Sequence, residues 1–147
     1  MKTVRQRIIK NIWICCNIII PMVAGGLFYL FFCPNISFSR SLRNRFGISY
    51  YYDISDNTVM MIIRCWGLDM LWAYSLCVCL MWVIKKRSIS FLISSLFAVT
   101  TELLQFFGMI SGTFDPLDII CEITAILAAG YAIGKTVCKT EKSIDNI

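Results

Sequence analysis

The stretch ELLQFFGMISGTFDPLDIICE, from Glu102 to Glu122, closes one long apolar run, makes a turn and opens another. The first run extends back to Ile89, and the second extends forward to Cys138. Each covers about 22 residues, and a helix needs about 20 to cross the hydrocarbon layer of a bilayer. The stretch therefore predicts a hairpin of two transmembrane helices, over about 89–110 and 117–138.

Two more apolar runs precede this hairpin, over about 12–33 and 62–84. Of the 147 residues, 58% are hydrophobic and only 16% are charged, whereas soluble proteins have about 25% charged residues. Backbone groups in lipid must form hydrogen bonds within their own segment, so such runs cross a membrane as helices. We expect an all-α membrane protein with four transmembrane helices, forming a single domain over 1–147.

The first apolar run is also compatible with a cleaved signal peptide, because a basic segment precedes it. However, it is longer than the apolar region of a signal peptide, which spans about 7–15 residues. The bulky sequence Phe31-Phe32-Cys33-Pro34 follows, where a cleavage site would need small residues. An uncleaved first helix is therefore the favoured interpretation.

Basic residues predict the orientation of these helices. Of the 14 Lys and Arg residues, ten lie before the first helix, between the second and third helices, or in the C-terminal tail. The other four are Arg40, Arg43, Arg45 and Arg64. Cytoplasmic loops carry the excess of basic residues, so we expect both termini in the cytoplasm. The net charge of +5 then reflects topology, and the scattered short basic segments argue against nucleic-acid binding.

Carboxylates in the outer half of the predicted helices mark a candidate site. An ionised carboxylate costs at least about 2.5–3.5 kcal/mol in the hydrocarbon core, and such residues are commonly functional. The pairs Glu102/Gln105 and Asp118/Glu122 each share a helix face, and Ala125 continues the second face as a small residue for helix packing. We predict an outward-facing polar pocket built from Asp69, Glu102, Gln105, Asp115, Asp118 and Glu122.

Four of these residues also have a structural interpretation. Asp115 and Asp118 can flank the outer end of the fourth helix, where the helix dipole and the free N–H groups stabilise an acidic residue, and Asp118 can be its cap. Glu102, if protonated, can donate a structural hydrogen bond to a nearby Ser, Thr or Gln. Asp69 could pair with Arg64, although residues five apart lie on different faces of an α-helix.

Other chemical signals are sparse. The chain has no His and eight Cys without C-x-x-C spacing, and a Cys33–Cys65 disulfide has weak support because both lie toward outer helix ends. A carboxylate pocket would suit Mg²⁺ or Ca²⁺ better than Zn²⁺, but it requires no cation, and we expect no cofactor. No nucleotide motif or nucleophilic triad is present, so no catalytic residue is assigned.

The first outer loop covers about 28 residues, 34–61, and combines arginines with Tyr50-Tyr51-Tyr52. It either lies on lipid headgroups or packs over the helix ends as a solvated loop, and we favour the second arrangement. The tail, 140–147, is expected to be disordered.

The motif from Glu102-x-x-Gln105 through Gly112-Thr113-Phe114-Asp115-x-x-Asp118-x-x-x-Glu122 resembles the VanZ-like family of small bacterial membrane proteins. The segment Leu68-Asp69-Met70-Leu71-Trp72 is similar to that family as well, so the resemblance covers about 64–134. It implies a location in the bacterial cytoplasmic membrane, within the cell envelope.

Three classes of function are compatible with these features. The favoured class is a VanZ-like envelope protein whose outward pocket binds a lipid headgroup, a cell-wall precursor or a glycopeptide. The second is a small proton- or cation-coupled transport subunit, which would also need polar residues in the cytoplasmic half of the membrane. The third is an intramembrane hydrolase or transferase that uses Glu102 and Asp118 as acid and base.

Overall fold

The computed structural model describes residues 2–33, 36–52, 57–110 and 114–138. This part of the chain is helical and has no strand. Four of its helical segments are long and apolar enough to cross a membrane, which confirms an all-α, multi-pass membrane protein: Ile8–Phe32, Thr58–Ile84, Arg87–Phe106 and Pro116–Ile133. Gly112, Thr113 and the tail 140–147 lie outside the described residues.

The long helices follow the predicted apolar runs, and the structure adds two features. A short helix, α2, lies in the segment expected to be a loop, and a π-helical turn precedes α4. The elements in chain order are α1 (Lys2–Phe32), α2 (Ser37–Phe46), α3 (Thr58–Ile62), the π-helical turn (Ile63–Gly67), α4 (Leu68–Ile84), α5 (Arg87–Phe106) and α6 (Pro116–Cys138).

Helix α4 is at the centre of the fold and packs against α1, α5 and α6. Its contact with α6 is the most extensive of the three. Small side chains allow this close approach, and the Cys77 Sγ lies 3.8 Å from the main-chain oxygen of Ile126. Ala125 and Ala129 are buried there, which confirms the predicted packing face of the last helix. The core comprises Ile14, Ala73, Cys77, Val78, Met81, Ala125, Ile126, Ala129 and Ile133.

Helix α1 lies at the edge of the bundle, with most of its large apolar side chains exposed. Such a surface suits contact with lipid tails. Its Asn17 Oδ1 accepts a hydrogen bond of 2.8 Å from the Tyr74 hydroxyl of α4. Near the C-terminal end of α1, a side chain at Gly25 would contact Leu68 of α4, whereas one at Gly26 would meet open space. The distance from a Cβ at Gly25 to Leu68 would be 4.0 Å, an ordinary van der Waals contact, so alanine would also fit between α1 and α4 here.

Helix α5 ends at Phe106, four residues before the end of the predicted apolar run. Gly108 adopts a left-handed conformation with a φ of 66°. Its N–H donates to the Gln105 carbonyl, and the Met109 N–H donates to the Leu104 carbonyl, both at 2.9 Å. These two bonds form a Schellman motif, which ends a helix even where the following residues are apolar.

The cysteines considered for a disulfide are both free thiols. Cys33 is buried beside the end of α1, whereas Cys65 is exposed in the π-helical turn. The weakly supported Cys33–Cys65 disulfide is therefore not formed in this structure.

Gly130 provides a test of the helix packing. A Cβ at this position of α6 would overlap the Phe91 ring of α5, and the Arg87 guanidinium lies over that ring, 5.1 Å from its centroid. We expect Gly130→Ala to lower the free energy of unfolding by about 1–3 kcal/mol, the usual cost of overpacking. Thermal unfolding in mild detergent measures this effect.

Gly26→Ala is the matched control for this prediction. Position 26 is open, and alanine is favoured over glycine within a helix by about 0.5–1 kcal/mol. This variant should retain or raise the melting temperature. Equal melting temperatures for Gly130→Ala and the unmodified protein would contradict close α5–α6 packing at this point.

Candidate functional site

The structure brings together carboxylates from three membrane-spanning helices. Asp69 of α4 interacts electrostatically with Glu102 of α5 and with Asp118 and Glu122 of α6. Asp115, at the start of α6, acts on Glu102 and Asp118. The five side chains therefore lie near one another, at the end of the bundle where α5 meets α6. We call Asp69, Glu102, Asp118 and Glu122 the carboxylate cluster.

Glu102 connects α5 to the first turn of α6. Its side chain is only 3% exposed, and its Oε2 accepts a hydrogen bond of 3.3 Å from the Asp115 N–H. A backbone donor at the start of a helix is a favourable partner for a carboxylate, because the helix dipole adds to the hydrogen bond. The partner observed for Glu102 is thus a backbone donor, whereas the structural alternative considered from the sequence was a bond donated by protonated Glu102 to a Ser, Thr or Gln.

Asp115 performs the capping role that the sequence also allowed for Asp118. Its Oδ1 accepts a hydrogen bond of 2.9 Å from the Leu117 N–H. Pro116 occupies the first helical position, where its missing N–H is harmless. Asp118 lies within the first turn, with its N–H donating to the Asp115 carbonyl. Asp118 is therefore free of the capping role and lies among the other carboxylates.

Two carboxylate oxygens of α6 are buried without a hydrogen-bond partner. These are Oδ1 of Asp118 and Oε2 of Glu122, and the Glu122 side chain is only 1% exposed. Most buried polar atoms in proteins have a partner, so each exception requires a physical reason. Among the described residues, these two oxygens of the carboxylate cluster therefore lack a hydrogen-donating partner.

Asp69 has an aromatic partner. The Trp72 Nε1 donates a hydrogen bond of 3.2 Å to the Asp69 Oδ1, and the Trp72 ring makes an edge contact with Phe97 of α5. Arg64, the partner considered from the sequence, lies in the π-helical turn before α4. This turn departs from α-helical geometry, which a pairing of Arg64 with Asp69 would require. The hydrogen bond observed for Asp69 nevertheless comes from Trp72.

The structure gives Gln105 a backbone role. Its carbonyl helps to end α5 by accepting the Gly108 N–H, and its side chain is half-buried. The described contacts do not join the Gln105 side chain to the carboxylate cluster.

The sequence does not single out one contributor to this region, Tyr29 of α1, which is half-buried and interacts electrostatically with Asp69 and Arg64. Ser94 of α5, one of the serines that the sequence offered as a partner of Glu102, is buried on the same face of α5. It lies two helical turns from Glu102, toward the other end of α5, so it is not part of the carboxylate cluster.

The carboxylate cluster can bind cations, accept hydrogen bonds and carry protons. Within the described residues, no group of three or more His, Cys, Asp or Glu side chains is arranged to hold a metal ion. The fold and the site thus define a class: a multi-pass all-α membrane protein with a cluster of carboxylates among its helices. Comparisons with protein-family models, curated proteins and solved structures found no match.

The bond between Glu102 and Asp115 generates a stability prediction. In Glu102→Leu, the Asp115 N–H loses its acceptor, which should cost about 1–3 kcal/mol of unfolding free energy. In Glu102→Gln, the amide oxygen can still accept this bond, so stability should stay near that of the unmodified protein. Thermal unfolding of the three purified proteins in the same detergent tests the difference. Equal stability of Leu and Gln variants would show that Glu102 serves only to fill space.

Proposed function

We propose that this chain is a VanZ-like protein of the bacterial cytoplasmic membrane whose carboxylate cluster binds an ammonium group of an envelope ligand. The observation that carries this proposal is the pair of buried, unpartnered oxygens on Asp118 and Glu122. An ammonium group offers positive charge and three N–H donors, which is what these oxygens lack. The family assignment rests on the sequence motif and the location follows from it.

An ammonium group is common to the three ligand classes considered from the sequence, the lipid headgroup, the cell-wall precursor and the glycopeptide. Ethanolamine headgroups, the diamino acids of cell-wall precursors and the amino sugars of glycopeptides all present such a group. In the low-dielectric surroundings of the buried Glu122 side chain, an ion pair is stronger than in water. Glu102 would help to hold the site open, since its bond to Asp115 fixes α6 against α5.

We also propose that the cluster faces the outside of the cell. The ten-to-four distribution of basic residues supports cytoplasmic termini. With that orientation, the outer end contains the end of α1, the start of α4 and the turn between α5 and α6. Tyr29 near the end of α1 interacts with Asp69, which agrees with this common end. The cluster would then be reached from the outer leaflet or the envelope.

Proton or cation transport is a second candidate with one specific observation in its favour. Ser90 and Ser94 are buried in the half of α5 opposite to Glu102. They supply part of the polar path that a transport subunit needs through the other half of the membrane. The hydrolase or transferase alternative has no comparable observation. Proton flux in reconstituted vesicles distinguishes transport from ligand binding alone.

Ligand binding is tested with phosphatidylethanolamine, which carries the ammonium group, and phosphatidylglycerol, which does not. We expect native mass spectrometry from mild detergent to show higher retention of phosphatidylethanolamine than of phosphatidylglycerol by the unmodified protein. Glu122→Gln removes the charge and should reduce this preference about tenfold, as expected for a lost charge-assisted hydrogen bond.

Thr124→Val is the matched control for Glu122→Gln. Thr124 is exposed on the same helix, and its hydroxyl bonds only the Ile120 carbonyl among the described residues. It should retain the lipid as the unmodified protein does. If Glu122→Gln retains phosphatidylethanolamine equally well and also binds no less of an amine-bearing cell-wall peptide, the proposal is wrong.

Orientation is tested with two single-cysteine variants in a background without reactive native cysteines. Ser41 of α2 and Ser88 of α5 are both exposed, and both changes to cysteine are nearly isosteric. A membrane-impermeant thiol reagent added to intact cells should label Ser41→Cys and leave Ser88→Cys unlabelled until the cells are opened. External labelling of Ser88→Cys alone would reverse the orientation and place the carboxylate cluster on the cytoplasmic side.

A further inference from the structure

A pocket lies outside the carboxylate cluster, between α2 and the turn that follows it. It has a volume of about 500 Å³. Its lining includes cationic, polar and aromatic side chains, among them Arg40, Arg43, Asn44, Ser49 and Tyr51. The proposed function does not use this pocket, and its charge is opposite to that of the cluster.

Arg43 is held in place by the way the chain turns at the end of α2. Gly47 adopts a left-handed conformation with a φ of 65° and donates its N–H to the Arg43 carbonyl. The turn brings the Ile48 carbonyl back toward Arg43, whose Nε donates to it at 3.2 Å. The guanidinium also lies over the Tyr51 ring, 5.1 Å from its centroid. These contacts fix the planar group before any ligand arrives.

The same guanidinium retains an unmatched donor. Arg43 is only 8% exposed, and its Nη1 is buried without a hydrogen-bond partner. Leaving a buried charged donor unmatched is costly, so its presence beside a pocket indicates an absent acceptor. The lining favours an anion, because among the described residues it includes two arginines and no acidic side chain.

Contacts between α1 and the segment that contains the pocket place the pocket near the end of the first membrane-spanning helix. The Ser39 hydroxyl donates to the Tyr29 carbonyl at 3.0 Å, and the Tyr52 N–H donates to the Phe31 carbonyl at 2.9 Å. The Tyr52 ring stacks on Phe32, the last residue of the first apolar span. Exposed tyrosines are typical of the headgroup region, where lipid phosphates also lie.

We infer that the pocket beside Arg43 binds a phosphate group. A guanidinium fixed in one plane offers two parallel N–H donors to phosphate oxygens, and this geometry is the preferred one for phosphate recognition. The phosphate can belong to a lipid headgroup or be free in solution. The inference does not depend on the ammonium site, since different residues carry it.

The test uses the full chain in mild detergent with two probes, phosphatidylglycerol and inorganic phosphate. A galactolipid, which lacks phosphate, serves as the negative control. Native mass spectrometry measures lipid retention, and the shift in melting temperature measures binding of inorganic phosphate. The unmodified protein should retain phosphatidylglycerol over the galactolipid. Binding of phosphatidylglycerol alone identifies the lipid headgroup as the source, and binding of both identifies a site open to free phosphate.

Ser49→Glu and Ser41→Glu form a charge-matched pair. Both serines are exposed and both changes add one negative charge, but only Ser49 lines the pocket. Ser49→Glu should weaken phosphate-group binding about tenfold while leaving the bonds of Arg43 intact. Ser41→Glu should bind as the unmodified protein does. Equal binding by the two variants would overturn the inference, and so would failure of the unmodified protein to bind either probe.

Arg43→Gln removes the guanidinium itself, with Arg45→Gln as control. Arg45 is exposed in the last turn of the same helix, so both variants lose one charge. Only Arg43→Gln should lose binding of the phosphate group. Arg43→Gln can also loosen the end of α2, so its loss of binding alone does not separate a local unfolding from the loss of the phosphate site. Ser49→Glu keeps Arg43 and its hydrogen bonds, so weaker binding by that variant identifies the loss of the site. Neither Arg43→Gln nor Arg45→Gln should change the preference for phosphatidylethanolamine over phosphatidylglycerol if the two sites are separate, because both lipids carry a phosphate group and only the first carries an ammonium group.

Discussion

The hydrogen bond from the Asp115 N–H to the Glu102 carboxylate joins the end of α5 to the beginning of α6. It satisfies a backbone donor that a membrane helix leaves free in its first turn. It also places a carboxylate at the positive end of the α6 dipole. Because α6 then packs along α4 through small residues, this bond brings Asp118 and Glu122 to the side of Asp69.

The cluster is consequently uneven in its hydrogen bonding. Glu102 has a backbone donor and Asp69 has the Trp72 indole, whereas Glu122 and Asp118 each retain a buried oxygen without one. Like charges at close range in a poorly solvated site repel one another strongly. A proton or a bound cation relieves this repulsion. The carboxylate cluster is therefore least stable when all four carboxylates are ionised and no cation is bound.

Much of this arrangement follows from local sequence patterns. Apolar run length predicted the four spans, and the spacing of Ala125 from Glu122 predicted the packed face of α6, because both depend on helical periodicity. Helix α2 was not predicted, since its polar sequence gains its support from distant groups such as the Tyr29 carbonyl. The assignment of the cap to Asp115 instead of Asp118 depends on where Pro116 starts the helix, a shift of one turn that apolar periodicity does not resolve.

The π-helical turn at Ile63–Gly67 has a consequence for how the outer end of the second span is read. A π turn holds one residue more than an α-helical turn, so the residues before it are rotated by about 100° relative to an uninterrupted helix. The side chains of α3 therefore point in different directions around the helix axis from those that an uninterrupted α4 would give. As a result, one continuous span presents two differently oriented faces, one formed by α3 and the other by α4 with Asp69.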